Sequence, residues 1–290
     1  MPTSQVISRA GQRGDWQPDG WDVRVRIGLL VPHADVGPES ELQAMAPPGV
    51  GTHAARVPFG AMGAGGAMDP TIPLAPVRAF AQPPRVDAAA ELLAAAPVHV
   101  IAYAFTSSAY VIGVEAEAAM IARLAQRTRG IPVVATSAAT VAALRETGAR
   151  RIALLSPPWF DADLDELGRR YYQSAGFDIA HSGPCDLPSD QARITPPDLY
   201  DQVCARTPDD ADAVVIGGNG FRAVGAIAAL EQTLERPVVT ANQALLWAAL
   251  KTAGANPSAV AGYGRIFRAR DGDSPPTNLG VAAAALEPRG

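Results

Sequence analysis

The stretch Val98-His-Val-Ile-Ala-Tyr-Ala-Phe-Thr-Ser-Ser-Ala-Tyr110 decides the fold. Its first part, 98–103, is an apolar run too short for a free-standing helix, with Pro97 just upstream. Such a run reads as a buried strand of a parallel sheet. It breaks into Phe105-Thr-Ser-Ser108, and helical spacing follows over 114–128. A strand that ends in hydroxyls just before a helix is where open α/β sheets keep their sites. Free N–H groups at the helix start, with the hydroxyls, could hold an anionic group such as a carboxylate. The plainer alternative is that Thr106 to Ser108 cap the helix.

Working outward, the same pattern repeats. Residues 23–31 form a strand ending in Pro32-His-Ala-Asp35, a short helix occupies 39–45, and 52–59 is a second strand. The 60–84 segment, with Gly60, Gly63, Gly65 and Gly66, reads as a long loop with at most a short helical piece. It is either a low-complexity insertion or a lid over a site. A helix over 86–96 precedes the central strand. Beyond it come a strand at 131–135, a helix capped by Ser137, and a strand at 151–155. A helix at 161–175, a strand at 177–181 and a helix at 198–206 follow. A strand at 213–216 empties into Gly217-Gly-Asn-Gly220 before a helix over 221–234, and a strand at 237–240 precedes a helix over 242–253. Strands alternating with helices mean α/β with parallel sheets. Because 213–220 echoes 98–107, two similar halves facing each other across a cleft are expected. The expected division is a tail at 1–22, halves at 23–145 and 146–240, a C-terminal helical segment at 241–268 returning to the first half, and a tail at 269–290. Trp16 and Trp21 are placed to pin the first tail to the surface.

The chain has 290 residues, 48% of them hydrophobic, and a formal net charge of -5. The acidic balance argues against a nucleic-acid groove or an anionic membrane as partner. No apolar run reaches membrane-spanning length, and the polar N-terminus lacks a signal-peptide core. A cytoplasmic protein is expected, and a homo-oligomer stays open. Cys185 and Cys204 have neither metal nor disulfide spacing, and the four histidines form no metal motif, so no metal and no cofactor are expected. His99 reads as a satisfied core residue, and Cys204 as core packing.

Polar side chains collect at three strand ends. His33 and Asp35 follow the first strand, Thr106, Ser107 and Ser108 the central one, and Asn219 the strand at 213–216. The Gly217 to Gly220 turn exposes backbone N–H groups, an anion nest. It does not match G-x-G-x-x-G and lacks a Walker lysine, and the chain has no G-x-S-x-G elbow. His33 and Asp35 are the titratable groups assignable to the cleft. Their alternative is a polar loop with an Asx-turn at Asp35.

Several stretches together carry a family resemblance. They are Arg26-Ile-Gly-Leu-Leu-Val-Pro32 with Glu39 and Glu41, Gly49-Val-Gly-Thr-His-Ala-Ala-Arg56, Ala102-Tyr-Ala-Phe-Thr-Ser107, Ile131-Pro132, Asn242-Gln-Ala-Leu-Leu-Trp247 and Gly262-Tyr-Gly264. In order and spacing they resemble the maleate isomerase and arylmalonate decarboxylase branch of the aspartate/glutamate racemase superfamily, over roughly 24–267. The resemblance implies an α/β fold of two similar three-layer αβα halves with the site in the cleft between them, and proton or carbon chemistry beside a substrate carboxylate. It also implies cysteines at two positions that here carry Phe105 and Gly218. The asparagine usual after the first strand falls on Asp35, and the family tyrosine on Pro158 or Trp159. A thiolate mechanism cannot run without thiols. The expectation is therefore a cysteine-independent isomerase- or lyase-like enzyme acting on a small carboxylic acid by decarboxylation, elimination or double-bond isomerisation. Thr106, Ser107, Gly218, Asn219 and Gly220 would hold the carboxylate or enediolate, with Phe105 drying one side and Gly218 leaving space on the other. Asp35 or His33 would move the proton. The alternative is a carboxylate-binding or regulatory protein that kept the cleft and lost catalysis.

Overall fold

The computed structural model describes residues 19–268. The tail at 269–290, most of the tail at 1–22, and Trp16 lie outside the described residues. The chain forms two four-stranded parallel sheets. The first contains β1 (Val25–Pro32), β2 (Val50–Val57), β3 (Val100–Tyr103) and β4 (Val133–Ala135), ordered β2-β1-β3-β4. The second contains β5 (Arg151–Ser156), β6 (Asp178–Pro184), β7 (Ala213–Ile216) and β8 (Val238–Thr240), ordered β6-β5-β7-β8. The two orders are the same, so the halves share one topology. Every residue of β3 and β7 is buried, as helices on both faces of a parallel sheet require.

The helices in chain order are α1 (Gly37–Met45), α2 (Leu74–Phe80), α3 (Arg85–Ala94), α4 (Thr106–Ile112) and α5 (Val114–Arg127). They continue with α6 (Thr136–Thr147), α7 (Ala162–Ser174), α8 (Pro196–Arg206), α9 (Ile227–Leu234) and α10 (Ala241–Thr252). The halves meet chiefly through α6 against α10 and α4 against α7. α10 starts from a full capping box, Thr240 with Gln243, and its apolar residues Leu245, Leu246 and Leu250 are wholly buried. Each such leucine contributes roughly 1.5–3 kcal/mol of burial, so the seam between halves is part of the core.

Several local expectations are corrected. Thr106, Ser107 and Ser108 do not precede the helix; they form the first turn of α4. α6 starts at Thr136, and Ser137 caps nothing; its hydroxyl donates to the Thr106 carbonyl oxygen at 3.2 Å. The helix expected from Phe221 begins only after a 3₁₀ turn at Val224–Ala226, because the glycine turn continues through 223. His99 lies just before β3 and is exposed, although its Nδ1 is satisfied by the Arg26 N–H at 3.0 Å. Cys204 is half-buried, at the edge of the core rather than in it. Trp21 is 79% exposed, so its ring does not pin the tail; its carbonyl is held by the Arg26 guanidinium at 3.3 Å. The 60–84 segment, by contrast, carries the short helical piece expected of it, α2, and Phe80 on it reaches the core.

In each sheet the chain moves outward from its first strand in both directions. β1 with β3, and β5 with β7, therefore flank the two switch points, where open sheets bind ligands beyond the strand C-termini. Register places the ends together: Leu30 lies opposite Tyr103, and Leu155 opposite Ile216.

Candidate functional site

Four strand ends converge on one small cavity. Asp35 comes from the loop after β1, Phe105 to Ser107 from β3, Trp159 and Phe160 from β5, and Gly218 to Gly220 from β7. The cavity holds about 30 Å³, roughly the volume of one water. It is roofed by Met62, Met68 and Ile72. These belong to the 58–73 segment, which is folded back on itself by an antiparallel bridge between Met62 and Met68. The roof is fastened to the second half. The Ile72 N–H donates to the Trp159 carbonyl at 3.1 Å, and the Ser189 hydroxyl to the Pro70 carbonyl at 3.1 Å. An outer cleft of about 980 Å³ adjoins the cavity, and Gly220 lines both.

Asp35 is the sole ionisable side chain on the cavity wall among the described residues. Its Oδ1 accepts from the Gly37 N–H at 2.8 Å, so the Asx-turn reading holds, and the carboxyl is buried at the cavity wall as well. Burial pushes its carboxyl up to about 6, against the opposing pull of the Gly37 N–H, the Gln191 amide and the Arg56 guanidinium. His33 is not beside it. His33 is exposed, its Nδ1 accepts from the Phe59 N–H at 3.1 Å, and it faces the outer cleft. The β1 loop thus sends these two residues to different spaces.

The expected cradle is partly occupied by the protein itself. The Thr106 N–H and hydroxyl both donate to Asn219 Oδ1, each at 2.8 Å. Asn219 Nδ2 donates to Thr136 Oγ1 at 3.0 Å and to Asn242 Oδ1 at 2.8 Å. Asn242 Nδ2 donates to the Asn219 carbonyl at 2.8 Å and to Glu41 at 2.7 Å. The other Glu41 oxygen accepts from the Ala223 and Val224 N–H groups. Burial raises the Glu41 pKa, and these bonds oppose the rise. Thr106 and the Asn219 side chain are therefore structural in this conformation. Asn219 supplies from the second half the cap that Phe105, at the N-cap of α4, cannot supply. The Ser107 hydroxyl and the N–H groups of Gly218, Asn219 and Gly220 make no hydrogen bond to the described residues.

Gly218 does not leave space. It has φ +88°, and a Cβ there would lie 2.7 Å from Pro157 Cγ. The Phe105 ring lines the cavity and packs on Phe80, centroids 4.1 Å apart, and on Phe59 at 4.9 Å. Neither cysteine approaches the cavity. Cys185 is buried, its thiol pushed up to about 12 by desolvation, and Cys204 lies on α8. No group of three His, Cys, Asp or Glu among the described residues could hold a metal. No helix among them is long and apolar enough to cross a membrane.

Sequence reasoning missed Gln191 and the roof methionines, which carry no motif. Glu41 and Asn242 did lie in the stretches that carry the family resemblance, but nothing local tied either to Asn219.

Comparison with known proteins places the chain in a family. An arylmalonate decarboxylase family model matches residues 79–267. The chain is 29% identical over 170 residues to arylmalonate decarboxylase from Bordetella bronchiseptica, covering 56% of this chain and 68% of the relative. It is 29% identical over 178 residues to maleate isomerase from Pseudomonas putida, covering 59% and 70%. In fold it is similar to maleate isomerase Iso from Pseudomonas putida S16, with TM-score 0.73 at 23% identity over 84% of this chain and 98% of that one. It is also similar to a crystal structure of arylmalonate decarboxylase, with TM-score 0.67 at 24% identity over 83% and 98%. With two matching parallel sheets meeting at one cavity and the family model spanning most of the chain, this protein belongs to the arylmalonate decarboxylase family and is an enzyme of the isomerase or carbon–carbon lyase type.

Proposed function

We propose that the chain acts on a small carboxylic acid without a thiol, by decarboxylation, elimination or double-bond isomerisation. One observation carries this reading: the cavity at the four strand ends has a single ionisable side chain, Asp35, buried and near neutral in pKa. A carboxyl that titrates near the working pH can both take and give a proton. The Ser107 hydroxyl and the N–H groups of Gly218 to Gly220 are the donors left for the substrate carboxylate. Such donors stabilise most where negative charge grows, as in an enediolate. Phe105, Met62 and Trp159 keep water from that charge. His33 is assigned no proton-transfer role.

The test is turnover of a panel of small mono- and dicarboxylates, maleate and 2-phenylmalonate included, by the wild type and by Asp35→Asn. Turnover of one acid that Asp35→Asn reduces at least a hundredfold supports the reading. Equal turnover by both proteins removes Asp35 from the chemistry. Saturable binding with no turnover by the wild type would reassign the site to a binder.

A further inference from the structure

We propose that Gln191 is a specificity-determining residue that separates the Asp35 cavity from the outer cleft and keeps its amide N–H for an oxygen of the incoming acid. The inference rests on the carboxylate reading above and names a residue which that reading does not use.

Gln191 opens a 3₁₀ turn, Gln191–Arg193, held by Asp190, whose side chain accepts from the Ala192 N–H. The turn belongs to the second half, yet its side chain reaches the first. Gln191 lines the outer cleft, Asp35 lines the inner cavity, and Gly220 borders both. A Cβ built on Gly220 would lie 2.0 Å from Gln191 Nε2 and 3.0 Å from Asp35 Oδ2. The amide therefore sits against the Gly220 backbone at the divide between the two spaces. Only a glycine admits it there.

Gln191 Nε2 is buried and makes no hydrogen bond of acceptable geometry. Its amide lies beside Asp35 and pulls the carboxyl pKa down, yet Nε2 forms no hydrogen bond with it in this conformation. A buried amide without a partner is costly, and such exceptions call for an explanation. The position supplies one. The inner cavity, about 30 Å³, takes no more than a small group, while the outer cleft, about 980 Å³, has room for the rest of a substrate. An acid reaching Asp35 from the cleft passes Gln191 and offers it the missing acceptor. The cost in the free protein is recovered when the acid binds.

Three variants test this: Gln191→Leu, similar in size without a donor; Gln191→Glu, similar in shape with the wrong charge; and Gln191→Asn as the conservative rescue. In the ligand-free protein at pH 5, where Asp35 is mostly protonated, Gln191→Leu is expected to raise Tm by about 2–4 °C, because it removes an unpaired donor. Titrated with maleate or 2-phenylmalonate, whichever the wild type binds, Gln191→Leu should weaken Kd about tenfold or more. Gln191→Glu should weaken it further, and Gln191→Asn should recover part of the loss. A fall in Tm for Gln191→Leu makes Gln191 an ordinary structural partner and overturns the proposal. So does unchanged affinity in Gln191→Leu or Gln191→Glu. If the wild type binds neither acid, the carboxylate reading itself fails and takes the recognition role with it.

Discussion

The ends of β3 and β7 occupy the same place in two halves of the same topology, yet they present donors differently. After β3 the chain enters α4 at once, so the first half offers side-chain hydroxyls on a helical turn. After β7 it runs through Gly217 to Gly220 and on to 223 before any helical turn, so the second half offers bare backbone N–H groups. The two are not independent, because Asn219 of the second half caps α4 of the first. A symmetric scaffold has been turned into an asymmetric site in which one half spends a side chain to order the other.

The sharpest way to break that comparison is to remove the proposed proton carrier, Asp35, which the first half alone supplies. Asp35→Asn is expected to lower kcat about 10²–10⁴-fold, the usual range for a lost acid–base group. It should also abolish any limb of the pH–rate profile near pH 6. The same variant has a stability signature. Asp35 has a folded pKa near 6, above its ordinary 3.8, so between those values the native state binds more protons than the unfolded one. Wild-type stability therefore falls as pH rises from about 4 to 6, by roughly 3 kcal/mol from this group. Urea melts across that range should show a flatter profile in Asp35→Asn. Burial also raises Glu117, held by Tyr171 and the Ala138 N–H, to about 7, which extends the downward slope toward neutrality in both proteins.

Next in size is the cross-half cap. Asn219→Ala strands the Thr106 N–H and hydroxyl and one Asn242 oxygen, all buried, and should cost about 3 kcal/mol in denaturant melts. If it costs less than about 1 kcal/mol, the halves are not coupled through α4. Ser107→Ala comes third. Its hydroxyl has no internal partner, so stability should stay within about 0.5 kcal/mol while KM rises roughly tenfold, the worth of one charge-assisted hydrogen bond. A stability loss without a KM change would put Ser107 with Thr106 as structure. The smallest effect belongs to Cys185→Ala with Cys204→Ala, which should change turnover per folded molecule by less than about twofold, since neither thiol reaches the cavity.

What could be read beforehand followed from locality. Short apolar runs such as 98–103 and 213–216 declare buried strands because both faces of a parallel sheet are covered. Hydroxyls and glycines beyond them, those of Thr106, Ser107, Gly218 and Gly220, line the cavity that the strand ends share. The misjudged features depended on distant atoms. Whether His33 and Asp35 share a face is settled by which N–H groups they meet, Phe59 for one and Gly37 for the other. Thr106 looked free for substrate because its partner, Asn219, lies in the other half. Gln191 carried no signal at all, since an orphan donor exists only once everything around it has been placed.

The contact between Gly218 and Pro157 bears on whether a thiol could be introduced at this turn. Where the family resemblance implies a thiol, this chain has a glycine at φ +88°, with the rigid Pro157 ring where a Cβ would sit. A single codon change to cysteine would meet that ring before it met any substrate. Pro157 would have to change first, and at that step no thiol would yet be present for selection to favour. Pro157 thus acts as a lock on the glycine turn: while its ring keeps its place, no side chain can be added at 218 by one substitution alone.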